Sequence, residues 1–262
     1  MTDSRTIAQA LVAARRAATG LAEFPGPMPT TLAEAYAIQA AAIDLSRRAI
    51  GGWKVGRIMG EHAARHGSDR LVGPIFADAI VSAGGGAPAF PVIRGGFGAC
   101  EGEFVARIGR DAPAEKTAWS TEEARALVDT LHIGMEIAGS PVHDTLRYGP
   151  LASIADLGLN IGLIVGAPVP GWAGRGDDSL ICTTLIDGVA TRTASAATLP
   201  GGPFAALAFA LGQCARLGHP MRAGDLVSTG ALCGIQVVTI GQHCCVDFGE
   251  LGRIETPVVA AS

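Results

Sequence analysis

Glu101 and Glu103, one residue apart in the run FGACEGEFVARI, are the residues of this sequence whose type and spacing point first to chemistry. The run reads as a strand, in which residues i and i+2 project from one face, so both carboxylates point the same way. On a solvated strand this would carry no meaning. Here the flanks FGAC and FVARI have the composition of a buried strand, and paired carboxylates in a core repel unless a cation or a proton compensates them. Another acid, Glu136, sits in a second apolar run, IGMEIAG. Buried acids in this number call for a metal. An all-oxygen donor set with no histidine or cysteine cluster beside it suits Mg²⁺, Mn²⁺ or Ca²⁺ better than zinc, and leaves coordination positions open for water and substrate.

Lys54 lies in GWKVG, between an aromatic and a β-branched residue. Such a lysine either extends its stem to reach water or is desolvated, with a lowered pKa. Asp78, at the end of the apolar run GPIFADAI, is either a turn residue or a site residue. Arg57 and Arg147 are candidates to pair with a distal carboxylate on a substrate. His132, His143, His219 and His243 each stand alone among apolar neighbours and read as structural. The vicinal Cys244 and Cys245 fall in an alternating pattern, where one thiol faces inward and the next outward.

The elements that must position these residues follow from the hydrophobic pattern. Residues 6–19 and a segment opening at Thr30 or Thr31 read as helices, the second with Glu34 in a capping-box-like start and Gly51–Gly52 as its stop. Beyond them come short apolar runs broken by glycine and proline, the pattern of strands and turns. STEEARALVDTL reads as a helix capped by Ser120, and residues 204–217 as another, closed by Gly218. From residue 154 onward, alternating β-branched runs point to a β-rich body. The expected class is α+β, β-rich, with residues 1–50 as a helical cap on a catalytic body of residues 51–262, or a single domain throughout.

Composition narrows the partners. With 262 residues, 48% hydrophobic and 17% charged, the chain can bury a large core. No apolar run is long enough for a membrane span, and the charged start MTDSRTIAQALVAARR lacks a signal-peptide core, so a cytoplasmic location is expected. A net charge of −4 offers no basic surface for nucleic acid or anionic membrane. The six cysteines form no C-x-x-C pair, which argues against a disulfide framework or zinc site.

Taken in order, GWKVG, G-x-x-F-x-D, E-x-E-x-x-F-V, M-E-I after a helix, IADLGLN and AGDLVSTGAL resemble the 2-keto-4-pentenoate hydratase and 4-oxalocrotonate decarboxylase group of the fumarylacetoacetate hydrolase superfamily. The resemblance spans essentially the whole chain. It implies a mixed β-sheet roll with an N-terminal helical region, a homo-oligomer, and Mg²⁺ or Mn²⁺ held by Glu101, Glu103 and Glu136. It implies Lys54 and Asp78 beside the substrate as catalytic groups, and Asp156 and Ser228 in its motifs are expected to bind substrate together with Arg57. The substrate implied is a small 2-oxo acid, whose carboxylate and keto oxygens chelate the metal so that enolate charge is stabilised. The expected activity is hydration of a 2-hydroxydienoate or 2-oxo-enoate in the catabolism of aromatic compounds. Decarboxylation of a 4-oxalocrotonate-type acid is the alternative, followed by C–C bond hydrolysis or an inactive ligand-binding member. No histidine occurs between Gly67 and Leu131, so the one expected ahead of the metal glutamates in a hydrolase is missing. The chain also departs from the family pattern after GWKVG, after IAD and at GVATRTASAATLPGGP.

Overall fold

A computed structural model describes residues 4–85 and 88–262. Helices α1 (Ser4–Arg16) and α2 (Leu32–Ser46) open the chain and pack together. α1 buries Ile7, Ala8, Leu11 and Val12, the stripe that helical spacing lays on one face. In α2, the Thr31 hydroxyl accepts from the Glu34 amide, and Glu34 Oε2 accepts from the Thr30 amide. The helix ends before the expected glycines, at Arg47 in a left-handed conformation. Gly51 and Gly52 instead lie in strand β1 (Ile50–Arg57), where a Cβ on Gly52 would stand 2.3 Å from the Leu226 carbonyl oxygen. The glycine admits a neighbouring strand rather than stopping a helix.

The chain continues through α3 (Gly60–His66), β2 (Arg70–Phe76), β3 (Ile80–Ser82), β4 (Phe90–Val92), β5 (Phe97–Ile108), α4 (Thr121–Arg125), β6 (Val128–Ser140), α5 (Pro150–Ala155) and β7 (Asn160–Pro168). It closes with β8 (Ile181–Ile186), β9 (Val189–Ser195), α6 (Gly202–Arg216), β10 (Leu226–Ser228), β11 (Gln236–Val237), β12 (His243–Asp247) and β13 (Arg253–Ala260). The Ser120–Glu123 capping box forms, but α4 is far shorter than the pattern predicts. The residues after it enter β6, because pairing with β5 along almost its whole length outweighs local helix preference.

The larger sheet has eight strands in the order β2-β1-β10-β5-β6-β7-β3, with β11 added beside β5; the smaller has five, β4-β13-β12-β8-β9. The mixed sheets and N-terminal helices make up the α+β architecture expected. The sheets meet through Phe104 and Phe248, whose rings lie edge-on at 5.3 Å, and through Gly102, where a Cβ would collide with Cys182 Sγ. A separate apolar cluster joins α1 and α2 to α5, and Gln39 Nε2 of α2 donates to the carbonyls of Val72 and Ile154. Among the described residues, no helix is long and apolar enough to cross a membrane.

Candidate metal centre and its cavity

Strand register builds the centre. β5 and β6 run antiparallel with Glu101 directly opposite Glu136 and Glu103 opposite Gly134. Directly paired residues share a face, and so do residues two apart, which gathers the three carboxylates on one side. Their nearest oxygens lie within 4.8 Å of one another, and all three side chains are buried. β1 runs beside β10 with Lys54 level with Ser228, bringing the ammonium to the same face. Lys54 Nζ is 3.1 Å from Glu136 Oε1 and 4.0 Å from Glu101 Oε2.

The hydrogen bonds divide the carboxylate oxygens into occupied and free. Glu103 Oε2 accepts from Ser228 Oγ at 2.6 Å and from the Gly230 amide at 2.7 Å. Glu136 Oε1 faces Lys54 and accepts from Asn160 Nδ2 at 3.1 Å. Glu103 Oε1 and Glu136 Oε2 are buried without any partner. An orphaned buried carboxylate oxygen is costly, and two of them on carboxylates clustered with Glu101 fit a hard divalent cation with oxygen ligands. The protonation equilibria agree. Burial, opposed by Lys54 and reinforced by Glu136, pushes Glu101 up to about 7. Glu103 is raised well above the usual carboxylate range by burial and then by the charges of Glu136 and Glu101. For Lys54 the sequence allowed a lowered pKa. Burial does lower it, but the attraction of Glu136, Glu101 and Glu103 prevails and holds it above the ordinary lysine value.

A cavity of about 720 Å³ opens from the centre, with Lys54 and Glu101 at its buried end. Its lining includes Arg57, Met59, His62, Arg192, Leu199 and Ile235. Arg57 and Arg192 are exposed, and neither guanidinium has an ion-pair or hydrogen-bond partner among the described residues. Gly158 and Leu159 line the cavity as well. Leu157, Gly158 and Leu159 are all left-handed, at φ 57°, 67° and 63°, and Leu157 and Gly158 approach Gly73 so closely that a Cβ on Gly158 would meet Gly73 Cα and Lys54 Cδ.

Solved structures share this architecture. 4-Oxalocrotonate decarboxylase from Pseudomonas putida G7, complexed with magnesium and adipate, superposes with a TM-score of 0.81 at 17% identity, over 98% of this chain and 97% of that one. Fumarylpyruvate hydrolase from Pseudomonas aeruginosa, in complex with Mn²⁺ and pyruvate, matches with a TM-score of 0.57 at 23% identity, over 82% of this chain and 90% of that one. A fumarylacetoacetate hydrolase family protein from Yersinia pestis CO92 matches with a TM-score of 0.56 at 15% identity, over 80% and 94% of the two chains. The fold is fumarylacetoacetate hydrolase-like. No family model matches the sequence.

Within this fumarylacetoacetate hydrolase-like fold, the sequence-derived candidates separate. Glu101, Glu103, Glu136 and Lys54 come together, and Arg57 lines the cavity that Lys54 and Glu101 also line. Asp78 does not join them. It lies on the short turn after β2, with its side chain 64% exposed and both oxygens bonded by Arg48, which also stacks over Phe76. The turn carries it to the surface, where Arg48 holds its carboxyl below the usual range. Ser228 is buried behind Glu103 and is absent from the cavity wall; it contacts a carboxylate of the centre rather than the cavity space. Asp156, also buried and off the wall, accepts from Arg15 and Ser140. Arg147 pairs with Tyr148 and Asp144 at the surface. All six cysteines are free and buried, Cys244 and Cys245 included.

The sequence did not single out Arg192, Arg15 or Asn160. For Asn160 a signal was present, since it ends the IADLGLN motif at the start of a strand.

Proposed function

We propose that this chain is a divalent-metal-dependent lyase acting on a dicarboxylic 2-oxo acid, and that it decarboxylates a 4-oxalocrotonate-type substrate. The observation that carries the reading is the pair of orphaned oxygens, Glu103 Oε1 and Glu136 Oε2, beside Glu101 and Lys54 at the buried end of a cavity. Glu101, Glu103 and Glu136 would hold Mg²⁺ or Mn²⁺. When bound, that ion supplies Lewis-acid stabilisation of the charge that develops on the keto oxygen of a 2-oxo acid. The solved structures whose fold is shared hold magnesium with adipate, a dicarboxylate, and Mn²⁺ with pyruvate, a 2-oxo acid.

Decarboxylation asks little of the protein beyond an electron sink and a proton. The bond to the distal carboxylate breaks, its electron pair moves through the conjugated chain to the keto oxygen, and CO₂ leaves. Lys54, kept protonated by the surrounding acids, supplies the proton that turns the dienolate into a 2-hydroxydienoate. Arg57 and Arg192, exposed at the cavity walls, attract and orient the second carboxylate during capture.

Hydration of a 2-hydroxydienoate is the second reading. It needs a further group to take a proton from water, and with Asp78 at the surface the cavity offers His62 for that role. NMR of the products formed from 4-oxalocrotonate and from 2-hydroxypentadienoate, with Mn²⁺ present, separates the readings. CO₂ and a 2-hydroxydienoate from the first substrate support decarboxylation; turnover of the second substrate alone overturns it in favour of hydration.

A further inference from the structure

Glu136 Oε1 takes two donors, Lys54 Nζ and Asn160 Nδ2, and its Oε2 is left without one. Asn160 lies off the cavity wall and is buried. Its second amide hydrogen goes to the Gly162 carbonyl at 3.3 Å, so both of its donors are committed. An ionised carboxylate only accepts, which requires that the Asn160 nitrogen, not its oxygen, face Glu136.

The backbone of Asn160 is held from outside the sheet. Its carbonyl accepts from Arg15 Nη1 of α1 at 3.0 Å. The same guanidinium donates through Nε to Asp156 Oδ1 at 2.7 Å, and through Nη2 to the carbonyls of Gly139 at 2.9 Å and Asp156 at 3.1 Å. Asp156 Oδ2 in turn accepts from Ser140 Oγ at 2.6 Å. One planar fork therefore clamps the end of β6, the residue after α5 and the start of β7. These are the segments that carry Glu136 and Asn160.

We infer that Asn160 is a positioning residue that commits Glu136 Oε1 and so leaves Oε2 for the metal, and that Arg15 of the N-terminal helix acts on the metal through Asn160. This rests on the metal reading above. With Oε1 tied by two charge-assisted hydrogen bonds, the carboxylate cannot exchange its oxygens without breaking both. Substituting such outer partners of metal ligands weakens metal affinity by about 10–100-fold.

The test is Mn²⁺ binding to the metal-free full chain, followed by calorimetry and by the Mn²⁺ electron paramagnetic resonance signal. It compares wild type, Asn160→Ala, Arg15→Met and the double variant. Asn160→Ala is expected to lose affinity by about tenfold or more. Arg15→Met loses less, and the double variant loses no more than Asn160→Ala, because the two act in series. Arg16→Ala, whose side chain bonds only the carbonyls of Leu45 and Ser46, binds as wild type. Where the alanine protein does not fold, Asn160→Ser, too short to reach Glu136, takes its place. Unchanged affinity in the Asn160 variant, or losses that multiply in the double variant, overturns the inference while leaving the metal reading intact. A wild type that binds no Mn²⁺ overturns both.

Discussion

Lys54 Nζ stands 3.1 Å from Glu136 Oε1, with both side chains buried. This one ammonium faces the three carboxylates of the centre, so two negative charges stay uncompensated when all are ionised. That deficit equals the charge of one divalent cation. Charges out of water are stable only when paired, so the lysine and the proposed metal divide a single task.

Lys54→Met leaves the carboxylates to each other. Without the Lys54 charge that holds it down, Glu101 is pushed above the value of about 7 it has beside the lysine, and the metal-free variant is expected to lose ~3–5 kcal/mol of stability in urea unfolding, most at high pH. Product formation should fall by about 10²–10⁴-fold as the proton source disappears. An unfolding midpoint equal to that of wild type would show that Lys54 does not compensate these acids.

The pH dependence of stability has a defined sign. Glu101 titrates at 4.5 in its ordinary environment and at about 7 when folded, so between these values the unfolded chain releases a proton that the folded chain keeps. Its contribution to metal-free stability is full below the lower value, declines as pH rises through the window, and is level above it. Glu103 shifts the same way and adds to the decline. Mn²⁺ needs the ionised carboxylates, so its affinity rises over the same range. Thermal unfolding across this window, with and without Mn²⁺, checks both slopes; metal-free stability that climbs with pH would sink the assignment.

Gly158→Ala tests the close approach of Gly158 to Gly73. A Cβ there would stand 2.8 Å from Gly73 Cα and 3.1 Å from Lys54 Cδ, at φ +67°. The left-handed conformation alone costs about 1–2 kcal/mol for a residue with a side chain. The variant should therefore melt lower and turn over more slowly as Lys54 is displaced. Gly176→Ala, where a Cβ meets nothing within 4 Å, provides the comparison, and equal melting of the two proteins would count against the packing described.

Arg57→Ala and Arg192→Ala should each raise KM for a dicarboxylic 2-oxo acid while changing KM for a monocarboxylic one little. Exposed charges act over a distance that salt shortens, so the difference should shrink at high ionic strength. Equal effects on both substrates would remove the arginines from substrate capture.

How much of this was legible in the sequence depends on the range of the interactions involved. Glu101, Glu103 and Glu136 were readable because acids in apolar runs with a two-residue period have few stable environments. The Ser120–Glu123 box was readable because capping is local, yet the length of α4 was not, since β5 claims the following residues. Asp156 could be singled out by its motif but not given its partner, because Arg15 lies 141 positions away. Asp78 failed for a related reason. Nothing within its own run reveals that Arg48 waits to pair with it at the surface.

The left-handed stretch at Leu157–Leu159 bears on how this cavity can diverge over evolutionary time. Where Gly73 and Gly158 lie main chain against main chain, a side chain at either would collide, so substitution there is closed. Change is thereby channelled into the lining side chains, Arg57, Met59, Arg192, Leu199 and Ile235 among them. Those positions can vary while the acids and Lys54 keep their geometry, so the outer cavity can be reshaped without disturbing the proposed metal centre.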